Sequence, residues 1–521
     1  MQKSLTPRPL HHRTVTLLLF AATWCAAIST SARADVVADW NVIIVNTAAA
    51  SGRTSPITNR IITMAHVAIH DALNAIDRHY KPYAFDAVAP YGASPEAAVA
   101  AAAYGVLIAE LPNQKTAIDA VLASALVAIP DGKAKSDGLA IGQAAAAAIL
   151  ARRAGDGSSV VPSYTPGTGL GVWQPTPPAF GPAVNVGFTY ITPFTLVSNT
   201  QFRPPAPAYF DLTSAEYAAD YNEVKSIGSA TSTTRTAEQS EIARFWYETS
   251  PGFHIRLARE LVVTQKLNLW ESARLFALLN IARMDALIAS NSAKYTYNFW
   301  RPVTAIRAGA NDGNSLTAGD PAWDTFLVTP SFPEYPSNHA IVNAAWAEVL
   351  ARFFGTDQFS FTLASAAPFP GITRTFTSFS QTAQEASDSR IYAGIHFRTA
   401  CTDGLEWGRK IGKQAFENFL QPAFDACLQD DRSGDFIQFN SLSGEYEFIH
   451  RGVDGFILRG RGEAERVGCL TTIGNSQVSI ALNRCVIAPQ NRGHAVVRKT
   501  PLGPFFVIND RDVTNSSCAC R

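Results

Sequence analysis

Three short stretches carry side chains suited to gripping and attacking an oxyanion. KYTYNFWRP, residues 294 to 302, holds Lys294 and Arg301 seven positions apart. On a helix that is two turns, so the spacing predicts two cations pointing the same way. PEYPSNHA, residues 333 to 340, sets Ser337, Asn338 and His339 before the apolar run AIVNAAWAEVLARFF. Ser337 is a good N-cap, and the backbone N–H groups near Asn338 and His339 then lie where an anion is welcome. SRIYAGIH carries Arg390, whose planar fork of donors suits an oxyanion, and six residues later His396, a side chain able to act as nucleophile or base near neutral pH. Each stretch alone also has a plain structural reading: a salt-bridged pair of cations, a helix cap with a neutral histidine, an unrelated Arg and His.

In this order and spacing the three resemble the active-site signature of the vanadium-dependent haloperoxidases and the related type 2 phosphatidic acid phosphatases. That signature is a Lys six residues ahead of Arg-Pro, then Pro-Ser-Gly-His, then Ser-Arg with a His further on. The resemblance implies that Lys294, Arg301 and Arg390 bind the equatorial oxygens of vanadate or phosphate, assisted by Ser337 and the Asn338 N–H. It implies His396 as axial vanadium ligand or as nucleophile towards phosphorus, with His339 as acid-base partner. Three departures stand out. Asn338 occupies the usual glycine position, and Ala400 stands four after His396, where the phosphatases often carry aspartate, so Asp403, on a similar helical face, is expected to orient His396. In the halide pocket that the resemblance implies, Phe332 matches the aromatic of the chlorinating enzymes, whereas Asn291 replaces a tryptophan.

One oxyanion site suits two reactions, because vanadate on a histidine holds at rest the five-coordinate shape through which phosphate passes during transfer. The leading expectation is a haloperoxidase that uses hydrogen peroxide and vanadate to oxidise a halide, with Lys294 polarising the bound peroxide. The alternatives are an exported acid phosphatase that attacks a phosphomonoester through His396 and needs no vanadate, and a non-catalytic surface or matrix-binding protein.

The elements that must position these residues are mainly α: a helical-bundle core of the haloperoxidase and acid-phosphatase type with a small C-terminal β-rich module. The chain has 521 residues, 47% of them hydrophobic, enough for more than one packed unit. Lys3, Arg8 and Arg13 before VTLLLFAATWCAAI and SARA predict a signal peptide over 1–34 and an exported protein, periplasmic or secreted. A helical catalytic domain over 35–428 and an antiparallel β module over 429–521 follow. DFIQFNS, YEFIH, GFILRG, QVSIAL, HAVVRK and FFVIND read as the strands of that module, with Cys469 and Cys485 placed to staple it. ASPEAAVAAAAYGVLIAEL and SDGLAIGQAAAAAILARR are strong helix formers, opening on Ser-Pro and Ser-Asp. Thr213 with Glu216 and Thr236 with Gln239 match capping boxes. Residues 157–202 contain no charged side chain but hold Tyr164, Trp173, Phe180, Phe188 and Phe194, which predicts an irregular segment packed on the surface and walling a pocket. His66 and His70, four apart on a helix, are a minor candidate metal pair. With 43 basic and 43 acidic residues there is no electrostatic footprint for nucleic acid, and no later apolar run reaches the length of a membrane span. The oligomeric state is left open.

Overall fold

The computed structural model describes residues 35–248 and 252–423, together with the C-terminal strand segments given below. The expected signal peptide and the cysteines at 469, 485, 518 and 520 lie outside the described residues. The fold is mainly α. Thirteen α-helices are described: α1 Val36–Ala50, α2 Ser55–Ile76, α3 Pro95–Glu110, α4 Lys115–Val127, α5 Lys133–Arg152, α6 Ala215–Ile227, α7 Ala237–Phe245, α8 Gly252–Thr264, α9 Leu269–Tyr297, α10 Pro302–Ala308, α11 Asn338–Phe354, α12 Phe379–Tyr392 and α13 Arg398–Asn418. A two-stranded antiparallel hairpin, β1 Gln358–Ala364 and β2 Thr373–Ser378, joins α11 to α12. Among the described residues no helix is long and apolar enough to cross a membrane.

Two helices form the axle. α2 is buried without a break from Asn59 to Ile76, and α9 from Ser272 to Lys294 with Arg283 as its single partly exposed position. A helix buried on every face belongs at the centre of a large core. α3 and α5 pair through glycine: a Cβ on Gly138 or Gly142 would lie 2.4 Å from the Ser94 carbonyl oxygen or 2.3 Å from that of Ala98. α13 meets α11 in the same way, since side chains at Gly404, Gly408 and Gly412 would collide with the backbone or alanines of α11. That approach carries the start of α13 against Ser337, at the head of α11.

Several local expectations are corrected. Thr236 and Gln239 form the predicted capping box, but Ser214 rather than Thr213 caps α6, accepting from the Tyr217 N–H. α5 opens three residues before Ser136, at Lys133 after Gly132, whose φ of 142° is open to glycine alone. Residues 157–202 are irregular apart from one 3-10 turn and pack inward through Trp173, Phe188 and Phe194, while Phe180 points outward at 62% exposure. C-terminal strands β3 Ala426–Gln429, β4 Phe436–Phe439, β5 Glu445–Arg451, β6 Ile457–Val467, β7 Leu470–Ile473, β8 Val478–Ala481, β9 His494–Val497 and β10 Phe506–Ile508 pair in sequence order as an antiparallel meander.

His66 and His70 are core residues rather than a metal pair. His66 Nε2 accepts from Asn41 Nδ2 at 2.9 Å and its ring stacks on Phe276, whereas His70 Nδ1 bonds Asp71 at 2.9 Å. Among the described residues no group of three or more ligand side chains could hold a metal. Burial lowers the pKa of His66 to about 3 from its ordinary 6.5. The unfolded chain therefore takes up a proton that the folded chain refuses. This contribution to stability is complete above pH 6.5 and is lost as pH falls towards 3, by roughly 1.4 kcal/mol per pH unit. Between about pH 7 and pH 5, urea unfolding should show a loss of about 2 kcal/mol from this residue. His66→Leu should shrink the loss by that amount, and an unchanged pH dependence in the variant would contradict it.

Candidate active site

The three motifs meet, though not as one helical face. Lys294 sits in the last turn of α9, which stops at Tyr297 because Asn298 adopts a left-handed conformation with φ 53°. Arg301 lies beyond that break as the N-cap of α10, so the expectation of two cations two turns apart on one helix is wrong. The break is held from outside: Trp173 N–H donates to the Asn298 carbonyl at 2.9 Å, Trp300 N–H to that of Gly171 at 3.0 Å, and Val184 N–H to that of Ser331 at 2.9 Å. Residues 157–202 thus clamp the chain on either side of the hinge and the loop that faces it.

Both cations are fully buried and grip the loop that leads into α11. The Lys294 ammonium donates to the carbonyls of Pro333 (3.0 Å), Glu334 (2.8 Å) and Pro336, which occupies all three of its N–H groups. Arg301 donates from Nε to the Phe332 carbonyl at 2.8 Å and from Nη1 to the Ile395 carbonyl at 2.6 Å, while its Nη2 is buried without a partner. Both cations lie over the Phe332 ring, at 4.9 and 4.8 Å from its centroid. Burial together with the Arg301 charge pushes the Lys294 pKa well down, and burial lowers those of Arg301 and Arg390 to about 10.

α11 starts as expected. Ser337 caps it, its N–H donating to the Ala400 carbonyl at 3.0 Å, and Asn338 is the first helical residue, with its Oδ1 buried and unpartnered. His339 follows, its Nε2 3.4 Å from Arg390 Nη1; burial and the Arg390 charge hold it neutral. Arg390 Nη2, like Arg301 Nη2, is buried with no partner. After α12, Gly394 with φ 80° turns the chain back so tightly that a Cβ there would lie 2.3 Å from the Gly228 carbonyl oxygen. The turn delivers His396 to the cations.

His396 is 2% exposed and its proton can be placed. Arg301 Nη1, a donor only, lies 3.0 Å from His396 Nε2, so Nε2 must accept and the proton sits on Nδ1. Nδ1 donates to Glu334 Oε1 at 2.9 Å. The same carboxylate accepts from the Phe397 N–H at 2.9 Å and from Tyr209 Oη at 2.7 Å. Burial pushes Glu334 up to about 7, opposed by Tyr209, Arg301, Lys294 and the Phe397 N–H. Its three partners are all donors, which is the surrounding an ionised carboxylate requires.

Asp403 does not orient His396. His396 precedes α13, for which Phe397 is the N-cap, so helical spacing does not connect it to Asp403; that carboxylate instead accepts from Tyr335 Oη at 2.7 Å. Asn291 is fully buried a turn before Lys294, its Nδ2 bonded to the Leu287 carbonyl and its Oδ1 unpartnered. Glu334, Tyr209 and two further neighbours escaped the sequence reading. Cys401 is a free buried thiol hydrogen-bonded to Ser337, and burial raises its pKa to about 12. His254 Nε2 lies 2.8 Å from Asn343 Oδ1, whose Nδ2 donates to the His339 carbonyl. Glu334 lies within the PEYPSNHA stretch itself, and its signal was an acidic residue inside an otherwise apolar and polar-neutral turn.

Because Arg301 keeps Nε2 an acceptor, both Glu334→Leu and Asp403→Asn should leave the proton on Nδ1, but Glu334→Leu should shift the Nδ1 resonance by removing its acceptor, whereas Asp403→Asn should leave it in place. Nitrogen NMR of the ring-labelled protein reads this directly, and loss of the Nδ1–H signature in the Asp403 variant would contradict the assignment.

A match to the family described as the VCPO second helical-bundle domain covers residues 274–424, which include all three motifs. The vanadium chloroperoxidase of Curvularia inaequalis is 30% identical over 169 residues, covering 27% of this chain and 28% of that relative's length. The crystal structure of a bacterial vanadium-dependent iodoperoxidase superposes with a TM-score of 0.63 at 26% identity, over 74% of this chain and 97% of that one. A bacterial vanadium-dependent chloroperoxidase in its holo form shares the fold at a TM-score of 0.57 and 18% identity, over 73% of this chain and 92% of that one. Residues 274–424 thus match the second helical bundle of this chloroperoxidase family, and the fold is similar to that of bacterial vanadium-dependent haloperoxidases.

Proposed function

We propose that the protein is an exported, vanadate-dependent haloperoxidase that oxidises a halide with hydrogen peroxide. One observation carries the reading: Lys294, Arg301 and Arg390 are at most 1% exposed, and among the described residues none of the three forms an ion pair with a carboxylate, that of Glu334 acting on Lys294 and Arg301 without contact. Burying unpaired charge is costly, so a site with this excess of cations is built for an anion. Vanadate fits it. The Nη2 groups of Arg301 and Arg390 lack protein partners, the first N–H groups of α11 face an anion favourably, and the Nε2 lone pair of His396, which accepts from Arg301 Nη1 at 3.0 Å, becomes available once that guanidinium turns to the anion.

In this reading Arg301, Arg390 and the head of α11 would hold the oxyanion's oxygens, and His396 Nε2 would be the nitrogen that ligates it. Vanadate, when bound, supplies an electrophilic centre at which hydrogen peroxide becomes able to oxidise a halide. Glu334 keeps the Nε2 lone pair of His396 available and balances part of the positive charge behind it. His339, held neutral with Nε2 3.4 Å from Arg390 Nη1, would accept the proton that peroxide gives up once that contact is released to the anion. Lys294 fixes the loop and adds potential; it reaches the oxyanion only by releasing one of its three carbonyls. The aromatic ring of Phe332 beneath both cations excludes water from their lower side.

The test pairs two assays on the mature chain: peroxide-dependent iodide and bromide oxidation after orthovanadate loading, and hydrolysis of a generic phosphomonoester without vanadate. Halide oxidation is expected, and His396→Ala should lower it about a hundredfold or more. Rapid phosphate release with no halide oxidation would replace the proposal with a phosphatase working through a phosphohistidine. Absence of both activities, and of vanadate binding, would leave a non-catalytic protein.

A further inference from the structure

We infer that Trp246 is the positioning residue of His339: its main-chain carbonyl takes the Nδ1 proton of that imidazole and leaves Nε2 on the side of Arg390, and its indole, tied to Glu385, keeps the carbonyl in place. The inference rests on the haloperoxidase reading above and deepens it, by giving the proton-accepting histidine a fixed tautomer. His339 has two ring nitrogens and two neighbours of opposite kind. Arg390 Nη1, 3.4 Å from Nε2, can only donate, and the Trp246 carbonyl, which hydrogen-bonds the same ring, can only accept. The two cannot share a nitrogen, so the proton sits on Nδ1 and Nε2 keeps its lone pair.

The end of α7 supplies that carbonyl. Trp246 is the C-cap of this helix, its own N–H bonded back to the Ile242 carbonyl at 3.1 Å. The last carbonyls of a helix have no intrahelical partner and form the negative end of its dipole, so a ring N–H is favourable there and an imidazolium more so. Burial and the charges of Arg390 on α12, His254 on α8 and Lys294 on α9 oppose protonation of His339, and His396 lies within electrostatic reach; the carbonyl works the other way. A histidine set among cations can thereby take up a proton and hand it back. The indole fixes the geometry: Trp246 is 4% exposed, its ring packs on Phe253 with centroids 4.5 Å apart, and its Nε1–H donates to Glu385 at 3.0 Å. Arg374 holds the same carboxylate through bonds of 2.6 and 2.8 Å. Glu385 precedes Arg390 on α12, so one helix carries both the guanidinium that faces Nε2 and the anchor of the carbonyl that holds Nδ1.

Nitrogen NMR of the ring-labelled mature protein reads the tautomer with neither vanadate nor peroxide present, so the inference can fail while the haloperoxidase reading stands. The unmodified protein should show His339 with Nδ1 protonated and Nε2 bare. Trp246→Phe, and Glu385→Leu, which leaves the indole in the core, should each shift the Nδ1 resonance as its acceptor moves away. Glu385→Gln still accepts from the indole and should recover the native position. In the halide assay the first two variants should lower kcat about tenfold with the KM for halide within about twofold. Losing a contact that favours the imidazolium keeps His339 neutral to lower pH, so the acid limb of the pH profile should move down as well. A packing role alone would lower the rate and move neither the resonance nor the limb. A proton on Nε2 in the unmodified protein, an Nδ1 resonance indifferent to both Trp246→Phe and Glu385→Leu, or a Glu385→Gln variant indistinguishable from Glu385→Leu would each overturn the inference. Halide oxidation absent from the unmodified protein would instead remove the reading on which it rests.

Discussion

The site depends on keeping three buried cations beside a single carboxylate. Removing an ammonium and two guanidinium groups from water costs several kcal/mol each, even after relaxation. The chain offsets part of that cost with oriented carbonyls: Lys294 takes three from residues 333–336, and Arg301 takes those of Phe332 and Ile395. Carbonyl dipoles stabilise a cation without cancelling its charge, which a second carboxylate would do. The depressed pKa values of all three cations record the remaining cost. A bound anion relieves it, so ligand affinity and fold stability draw on the same interaction.

The carboxylate has to sit where it serves the histidine and does not block the anion. Glu334 meets that demand from behind: it touches Nδ1 of His396, leaving Nε2 on the side of Arg301, and its other oxygen is held by Tyr209. Tyr209 belongs to a second, aromatic core of Tyr217, Phe299, Trp300, Tyr335 and Phe397, which surrounds this pair and keeps water away. Burial raises Tyr209 well above its ordinary pKa, with the Glu334 charge adding to the effect, so the phenol stays a donor and the carboxylate stays an acceptor. Orientation, protonation and dryness are therefore one arrangement.

Much of this was legible in the order of residues, and the failures share a cause. Helices rich in alanine, the cap at Ser337 and the identity of the clustered cations and histidines follow from local chemistry, which acts over a few residues. The break at Asn298 was misread because a two-turn spacing was assumed across Tyr-Thr-Tyr-Asn-Phe-Trp, a run whose aromatic and β-branched residues sustain a helix weakly. Asp403 was preferred over Glu334 for the converse reason. Sequence proximity suggested a partner seven residues from His396, while the actual partner is 62 residues away, joined only by the fold.

The uncharged character of residues 157–202 takes on a physical meaning beside this site. The segment clamps the hinge between Lys294 and Arg301 through backbone bonds at Asn298, Trp300 and Ser331, and packs with Trp173, Phe188 and Phe194 fully or almost fully buried. A clamp so close to two buried cations could have used aspartate or glutamate at the hinge, as Asp71 does elsewhere and as Asp285 of α9 does for residues 194–196 of this same segment, each accepting three backbone N–H groups. An acidic side chain at the hinge would instead neutralise the field that the anion needs, since attraction between unlike charges is strong and poorly screened in a dry interior. Building the clamp from main chain, proline turns and aromatic rings gives rigidity without charge. The same constraint that leaves three cations unpaired thus also dictates the composition of the irregular segment that holds two of them in place.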